Sequence, residues 1–167
     1  MAVFVKKTFE GVVSQGELNL AVGIVAAAKA IGHLSSFLWA SLSHGRPKVQ
    51  FIARLQRTTA VFIALVACMP RTKQGLWMIV FCCLAAWTVW SGVATLRTSI
   101  WRANYHAPTR PRVAGKLATL EALLIACTGI LIGVCLDWNP LTYRFVFPTL
   151  ALIGLIGASA YARLPFR

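Results

Sequence analysis

Two ionisable residues lie inside an apolar stretch of the chain, where a charged group is energetically unfavourable. Lys29 is 11 residues after Leu18 and 13 before Leu42, the bounds of that stretch, and His33 follows it at i+4. Residues four apart share one side of a helix. Charged groups inside a bilayer are costly and usually face a polar cavity. The pair therefore predicts a polar pathway that contacts an anionic substrate or carries protons.

Other interpretations of the same two residues remain open. Lys29 could extend its ammonium group toward the membrane surface, or the apolar stretch could have other bounds than those assigned. For His33 alone, a histidine with satisfied hydrogen bonds and a structural role is the favoured interpretation. Trp87 and Trp90 lie three apart in another apolar stretch. We expect them to pack against neighbouring helices or lipid, with stacking on a substrate as the alternative.

The acidic residues are few, and one of them lies where it can join helix ends. Glu121 stands in the first turns of an apolar stretch, close to several cations. We expect an ion pair that holds helix ends together, and proton coupling is the alternative. The possible cationic partners are Arg54, Arg57, Arg97 and Lys116. Asp137 precedes Trp138-Asn139-Pro140, a turn signal, so it is expected to be solvated or to cap a helix.

Residue patterns typical of enzymes and metal sites do not occur in the sequence. The five cysteines show no CxxC or Cys/His spacing of the kind that binds zinc. No phosphate-binding glycine loop and no pairing of a nucleophile with a base is recognisable. We therefore expect no enzymatic activity, no cofactor, no catalytic residue and no metal site.

Five apolar stretches must position these side chains, and each is about the length that crosses a bilayer, which is about 20 residues. The chain is 58% hydrophobic, with a mean hydropathy of +0.71. The sequence predicts an all-α membrane protein with about five transmembrane helices in a single transmembrane domain over residues 1–167. The predicted spans are Leu18–Leu42, Val49–Met69, Leu76–Leu96, Leu117–Leu136 and Tyr143–Ala162.

Basic residues alternate between the two sides of these spans. The net charge is +13, and eleven of the 17 Lys and Arg residues fall on one side, in or beside the loops 43–48 and 97–116 and after residue 162. The positive-inside rule places this side in the cytoplasm. We expect an integral protein of a bacterial inner membrane, with the N-terminus outside and the C-terminus inside. The basic loops indicate contact with anionic lipid headgroups rather than with nucleic acid.

The first residues of the chain do not explain how its N-terminus would reach the outside of the membrane. No cleavable signal peptide is recognisable, because Lys6 and Lys7 follow rather than precede a short apolar run. An odd number of spans and an outside N-terminus together indicate a preceding helix, of which Ala2–Val5 would be the tail.

Two loops carry a resemblance to a known family. FLWASLSHGRPKVQFIARLQR, residues 37–57, resembles the tight basic turn after the second helix of major facilitator superfamily (MFS) transporters. WRANYHAPTRPRVAGKLATLEALL, residues 101–124, is similar to the same family's loop between helices four and five. LDWNPLTYRFVFP, residues 136–148, resembles the outer turn before helix six.

The resemblance implies that the five spans correspond to helices two to six of the family's N-terminal six-helix half. A complete member has two halves with the solute site between them. The chain is then expected to be a partial MFS-like secondary transporter of an unidentified small solute, inactive alone. Its partner would be a second half, a second copy of itself, or a larger complex. The alternative is a structural or assembly subunit of a larger membrane complex.

Overall fold

The computed structural model describes residues 1–163, including all side chains except those of Ala103 and Pro140. Helices account for nearly all of this part of the chain. They are α1 (Ala2–Phe9), α2 (Gln15–Leu34), α3 (Ser36–Leu42), α4 (Lys48–Val66), α5 (Lys73–Asn104), α6 (Arg110–Trp138) and α7 (Tyr143–Ala162), with a 3₁₀ turn at Pro140–Thr142.

Five of the helical segments are long and apolar enough to cross a membrane, with α2 and α3 together forming the first. The predicted all-helical architecture with five helices of spanning length and apolarity is therefore confirmed. The predicted bounds of the spans are less accurate. α5 and α6 continue for two turns or more beyond the apolar runs Leu76–Leu96 and Leu117–Leu136.

The first span is interrupted at Ser35, which the sequence pattern did not predict. The Ser35 backbone N–H donates to the carbonyl oxygens of Gly32 and His33, so the last turn of α2 tightens. The Ser35 hydroxyl also donates to the Gly32 carbonyl, with an O···O distance of 2.7 Å. Serine competes in this way with helical hydrogen bonds and often bends helices. α2, with 20 residues, and α3, with seven, are therefore separate helices within one span.

The short helix α1 covers one end of the bundle. Phe4, Val5, Thr8 and Phe9 are buried, and α1 packs on α2 while it also touches α6 and the 3₁₀ turn. The Phe4 ring lies against the aromatic rings of α7, with centroid distances of 5.4 Å to Tyr143 and 4.9 Å to Phe147. Such tilted aromatic contacts add stability beyond burial alone.

Four of the spans pack side by side in the order α2, α5, α4, α7. Small residues set the close approach between the first two. A Cβ atom added at Gly32 of α2 would lie 2.7 Å from the carbonyl carbon of Trp87 on α5. At Gly92 of α5 it would lie 2.8 Å from the ring of Trp39 on α3. Helices in membranes associate through such close packing of backbones.

The fifth span, α6, stands apart from this row. It touches α1, the 3₁₀ turn and α7, and Leu136 is the single buried residue along its whole length. Its exposed surface includes many large apolar side chains. Those more than 50% exposed are Leu120, Leu123, Leu124, Ile125, Ile130, Leu131 and Trp138. This composition suits contact with lipid chains.

The two ends of the bundle differ in charge. At the N-terminal end, which α1 and the α4–α5 and α6–α7 turns form, ion pairs join Lys7 to Asp137 and Lys73 to Glu17. We call the opposite end the basic end. Among the described residues, Glu121 is the acidic residue at this end. The basic residues there are Arg46, Lys48, Arg54, Arg57, Arg97, Arg102, Arg110, Arg112, Lys116 and Arg163.

Candidate functional site

Lys29 lies in the middle of the first span. It is 14 residues from Gln15 and 13 from Leu42, which corresponds to about 20 Å of helix in each direction. The hydrocarbon core of a bilayer is about 30 Å thick, so neither surface is close. Its side chain is exposed on the outside of the chain. The ammonium nitrogen lies 5.8 Å from the centroid of the Trp87 ring on α5, a cation–π contact.

Lys29 belongs to a strip of polar and small residues along the exposed side of α2. Successive residues are turned by about 100° around a helix, and between Asn19 and His33 six exposed residues fall within about 120° of arc on that basis, with the half-buried Val22 in the same arc. We call this set the α2 polar strip: Asn19, Gly23, Ala26, Lys29, Ala30 and His33. The strip brings Lys29 and His33 to one surface, as predicted from their spacing.

The α2 polar strip differs from the other exposed surfaces of the bundle. On α7, for example, Phe145, Leu152, Ile153 and Ile156 are all at least 60% exposed. α6 shows a similar set beside a row of exposed small residues (Ala118, Ala122, Ala126 and Gly129), but it has no Lys or Arg between residues 117 and 138. Lipid chains suit surfaces of that kind. Small residues with a mid-span cation suit contact with protein or water instead. The α2 polar strip is therefore the candidate functional surface.

Hydrogen bonds between helices fix α2 against α5 beside this strip. The Ser35 and Ser91 hydroxyl oxygens lie 3.0 Å apart. The Trp39 indole N–H donates to the Thr88 carbonyl oxygen at 2.8 Å. Together with the close contact at Gly32, these bonds set the register in which Lys29 meets Trp87. Trp39 lies between helices here, where a buried indole finds an acceptor.

Glu121 and the cations that were expected as its ion-pair partners lie at the basic end. Glu121 on α6 pairs with Arg97 on α5, at an N···O distance of 3.3 Å. Arg54 and Arg57 are exposed on α4 and form no ion pair among residues 1–163. Both side chains of the Arg97–Glu121 pair are about one third exposed or more. Such a pair contributes little to stability.

Asp137 is solvated, as expected, with its side chain 62% exposed. Its carboxylate also pairs with Lys7 of α1. Asn139, which follows α6, caps the start of the 3₁₀ turn, because its side-chain oxygen accepts from the Leu141 backbone N–H at 2.8 Å. The ion pair could not be predicted from the sequence, because 130 residues separate its two members.

Several residues of the site were not identified from the sequence. Trp87 packs against the helix core, as expected, but its contact with Lys29 was not predicted. Gly32 and Ser35 were not singled out. The small residues of the α2 polar strip could have been found, because Gly23 and Ala27, and Ala26 and Ala30, each have the small-xxx-small spacing of close helix contacts.

Arg110 also has a defined structural role in the α5–α6 loop. Its guanidinium donates to the Tyr105 carbonyl oxygen at 2.7 Å and to the Arg102 carbonyl oxygen at 2.8 Å. These are carbonyl groups at the end of α5, which lack partners within the helix. A cation near a helix C-terminus is also favoured by the helix dipole. Arg110 thus closes the end of α5.

No family model, curated protein or solved structure matches this chain.

Proposed function

We propose that this chain is one part of a secondary transporter for a small solute and that it acts only together with a second membrane component. The observation that carries the proposal is the exposure of Lys29 in the middle of a span, within the α2 polar strip. The chain by itself leaves this strip uncovered. A second component that faced the strip would enclose a polar pathway between the two parts.

The loop resemblance to MFS transporters supports the same proposal. In that family two halves surround a solute site near the bilayer midplane, and Lys29 lies at that depth. On this proposal the five spans correspond to helices two to six of one half, and α1 to the end of helix one. The basic end would face the cytoplasm of a bacterial cell, by the positive-inside rule.

The second candidate is a structural or assembly subunit of a larger membrane complex. The small residues of the α2 polar strip favour it, because Gly23, Ala26 and Ala30 would let a partner helix approach closely. In this case the strip would be an interface with the partner protein from which water is excluded. The two functions therefore differ in whether water reaches the strip in the native assembly.

Thiol labelling in native membranes measures that difference. In a background in which the five natural cysteines are replaced, single cysteines are placed at Gly23, Ala26 and Ala30, and matched controls at Leu124 and Ile130 of α6. We expect a membrane-impermeant maleimide to label the strip cysteines in intact membranes and to leave the α6 controls unlabelled. The controls are exposed residues of similar depth that face lipid.

Two results would contradict the transporter proposal. Strip cysteines that react only after the native assembly is dissociated in detergent would indicate a protein interface and favour the assembly subunit. Equal reactivity of strip and α6 positions would mean that the strip is no different from a lipid-facing surface. The mass of the native complex then shows whether a second component accompanies the 18.2 kDa chain.

A further inference from the structure

We infer that Lys29 is an anion-binding group and that the solute or partner group at the α2 polar strip carries a carboxylate or phosphate. The inference rests on the proposed function, since it names the chemistry of what occupies that strip. Its starting point is the charge of Lys29, which no group of the described chain neutralises.

The acidic residues of the chain are all too far from Lys29 to pair with it. Glu10, Glu17 and Asp137 lie at the N-terminal end of the bundle, and Glu121 lies at the basic end. Glu17, on the same helix as Lys29, is 12 residues away, which is about 18 Å of helix. Three of these four acids already form ion pairs with other cations.

The described surroundings of Lys29 contain no negative charge that would balance its ammonium group. The Trp87 ring attracts a cation but contributes no negative charge. His33, one turn away, provides a second group that can donate a hydrogen bond to an anion. Ala26 and Ala30 have short side chains, which leaves room beside Lys29 for a small group. The positive charge of Lys29 and the hydrogen-bond donor of His33 favour an anion over a cationic ligand.

A second copy of the same chain does not fit this surface. Two α2 helices packed face to face would bring two Lys29 ammonium groups together in a medium of low dielectric constant, where like charges repel strongly. The chain has no acid on the strip to offset this. The compensating anion therefore comes from a solute or from another protein.

Charged thiol reagents test the inference without knowledge of the natural ligand. In native membranes, Ala26→Cys is reacted with anionic and with cationic methanethiosulfonates, and Asn19→Cys serves as the control. Residues three apart on a helix have Cβ atoms about 5–6 Å from each other, whereas Asn19 is about 15 Å from Lys29 along the helix, beyond the Debye length of about 8 Å.

We expect the ratio of anionic to cationic reaction rates at Ala26→Cys to exceed that at Asn19→Cys by about tenfold or more, from the Coulomb energy of a unit charge at that separation. Lys29→Gln should remove this excess and Lys29→Arg should keep it. The rate ratios at positions 26 and 19 are both measured with Lys29 present. This comparison therefore still tests the inference if the Lys29→Gln protein does not fold.

Protection experiments distinguish the source of the anion. Slower labelling of Ala26→Cys in the presence of acetate or inorganic phosphate, but not acetamide, would assign the anion to a free solute. Charge-selective labelling that appears only after detergent dissociates the assembly would assign it to a carboxylate of the partner protein.

Equal ratios at the two positions would overturn the inference while leaving a water-filled pathway, and hence the proposed transporter function, in place. Absence of labelling at both positions in membranes and in detergent would contradict both.

Discussion

Replacement of Gly32 by alanine should separate α2 from α5. The added Cβ would lie 2.7 Å from the Trp87 carbonyl carbon and 2.8 Å from its oxygen, whereas ordinary contact begins at 3.4 Å. The atoms it meets belong to the backbone, so no side-chain rotation can relieve the clash. The helices would have to move apart locally by about 0.7 Å, and such overpacking costs about 1–3 kcal/mol.

The matched control is Gly23→Ala on the same helix. A Cβ atom at Gly23 has no neighbour within 4 Å, so this variant gains only the better helix propensity of alanine, about 0.8–1 kcal/mol. Both variants share that gain. The difference between their free energies of unfolding therefore isolates the clash, and Gly32→Ala should be less stable than Gly23→Ala by about 1–3 kcal/mol.

Unfolding in lipid nanodiscs, followed by denaturant titration, measures this difference. The shift should also weaken the Trp39–Thr88 hydrogen bond and move Lys29 away from Trp87, so the charge selectivity at Ala26→Cys should change in the same variant. If Gly32→Ala is as stable as Gly23→Ala, the close packing of α2 on α5 at this depth is refuted.

Three further perturbations test other contacts. Arg97→Gln and Glu121→Gln should each lower the free energy of unfolding by about 0.2–1 kcal/mol. A double-mutant cycle should give a coupling energy that becomes smaller in 1 M salt. Additive effects of the two substitutions would mean that the ion pair contributes nothing to stability. Tyr143→Phe should cost about 1–2 kcal/mol, because the buried Tyr143 hydroxyl donates to the Met69 carbonyl at 2.8 Å; unchanged stability in the same unfolding assay would argue against this bond. The protein should resist unfolding better in nanodiscs with phosphatidylglycerol than in nanodiscs with phosphatidylcholine alone, with the difference reduced by salt, because the basic end attracts anionic headgroups; equal stability in both would contradict this.

Hydropathy predicted the five spans because the bilayer imposes one length on every one of them. The full lengths of α5 and α6 could not be obtained in this way. Arg97 and Arg102 continue α5 beyond its apolar run, and a hydropathy window measures the thickness of the membrane rather than the length of a helix. The break at Ser35 escaped prediction because Gly32 and Ser35 lie within one long apolar run, and hydropathy alone does not show a break inside such a run.

The contacts between helices could not be predicted from the sequence, because they depend on which helices pack together and in which register. The spacing of Lys29 and His33 placed them on one side of α2, which depends only on helix geometry. The contact between Lys29 and Trp87 depends on the register of α2 against α5, which Gly32 and two interhelical hydrogen bonds determine. Side-chain periodicity within one helix contains no information about that register.

The packing order α2, α5, α4, α7 also has a consequence for synthesis. α4 packs against α7, yet α5 and α6 are made between them. One side of α4 therefore lacks its protein neighbour until α7 enters the membrane. α2, α4 and α5 can assemble as they emerge, whereas α6 enters the bilayer as a largely independent helix. The insertion of α7 should be the step that completes the row of four packed spans.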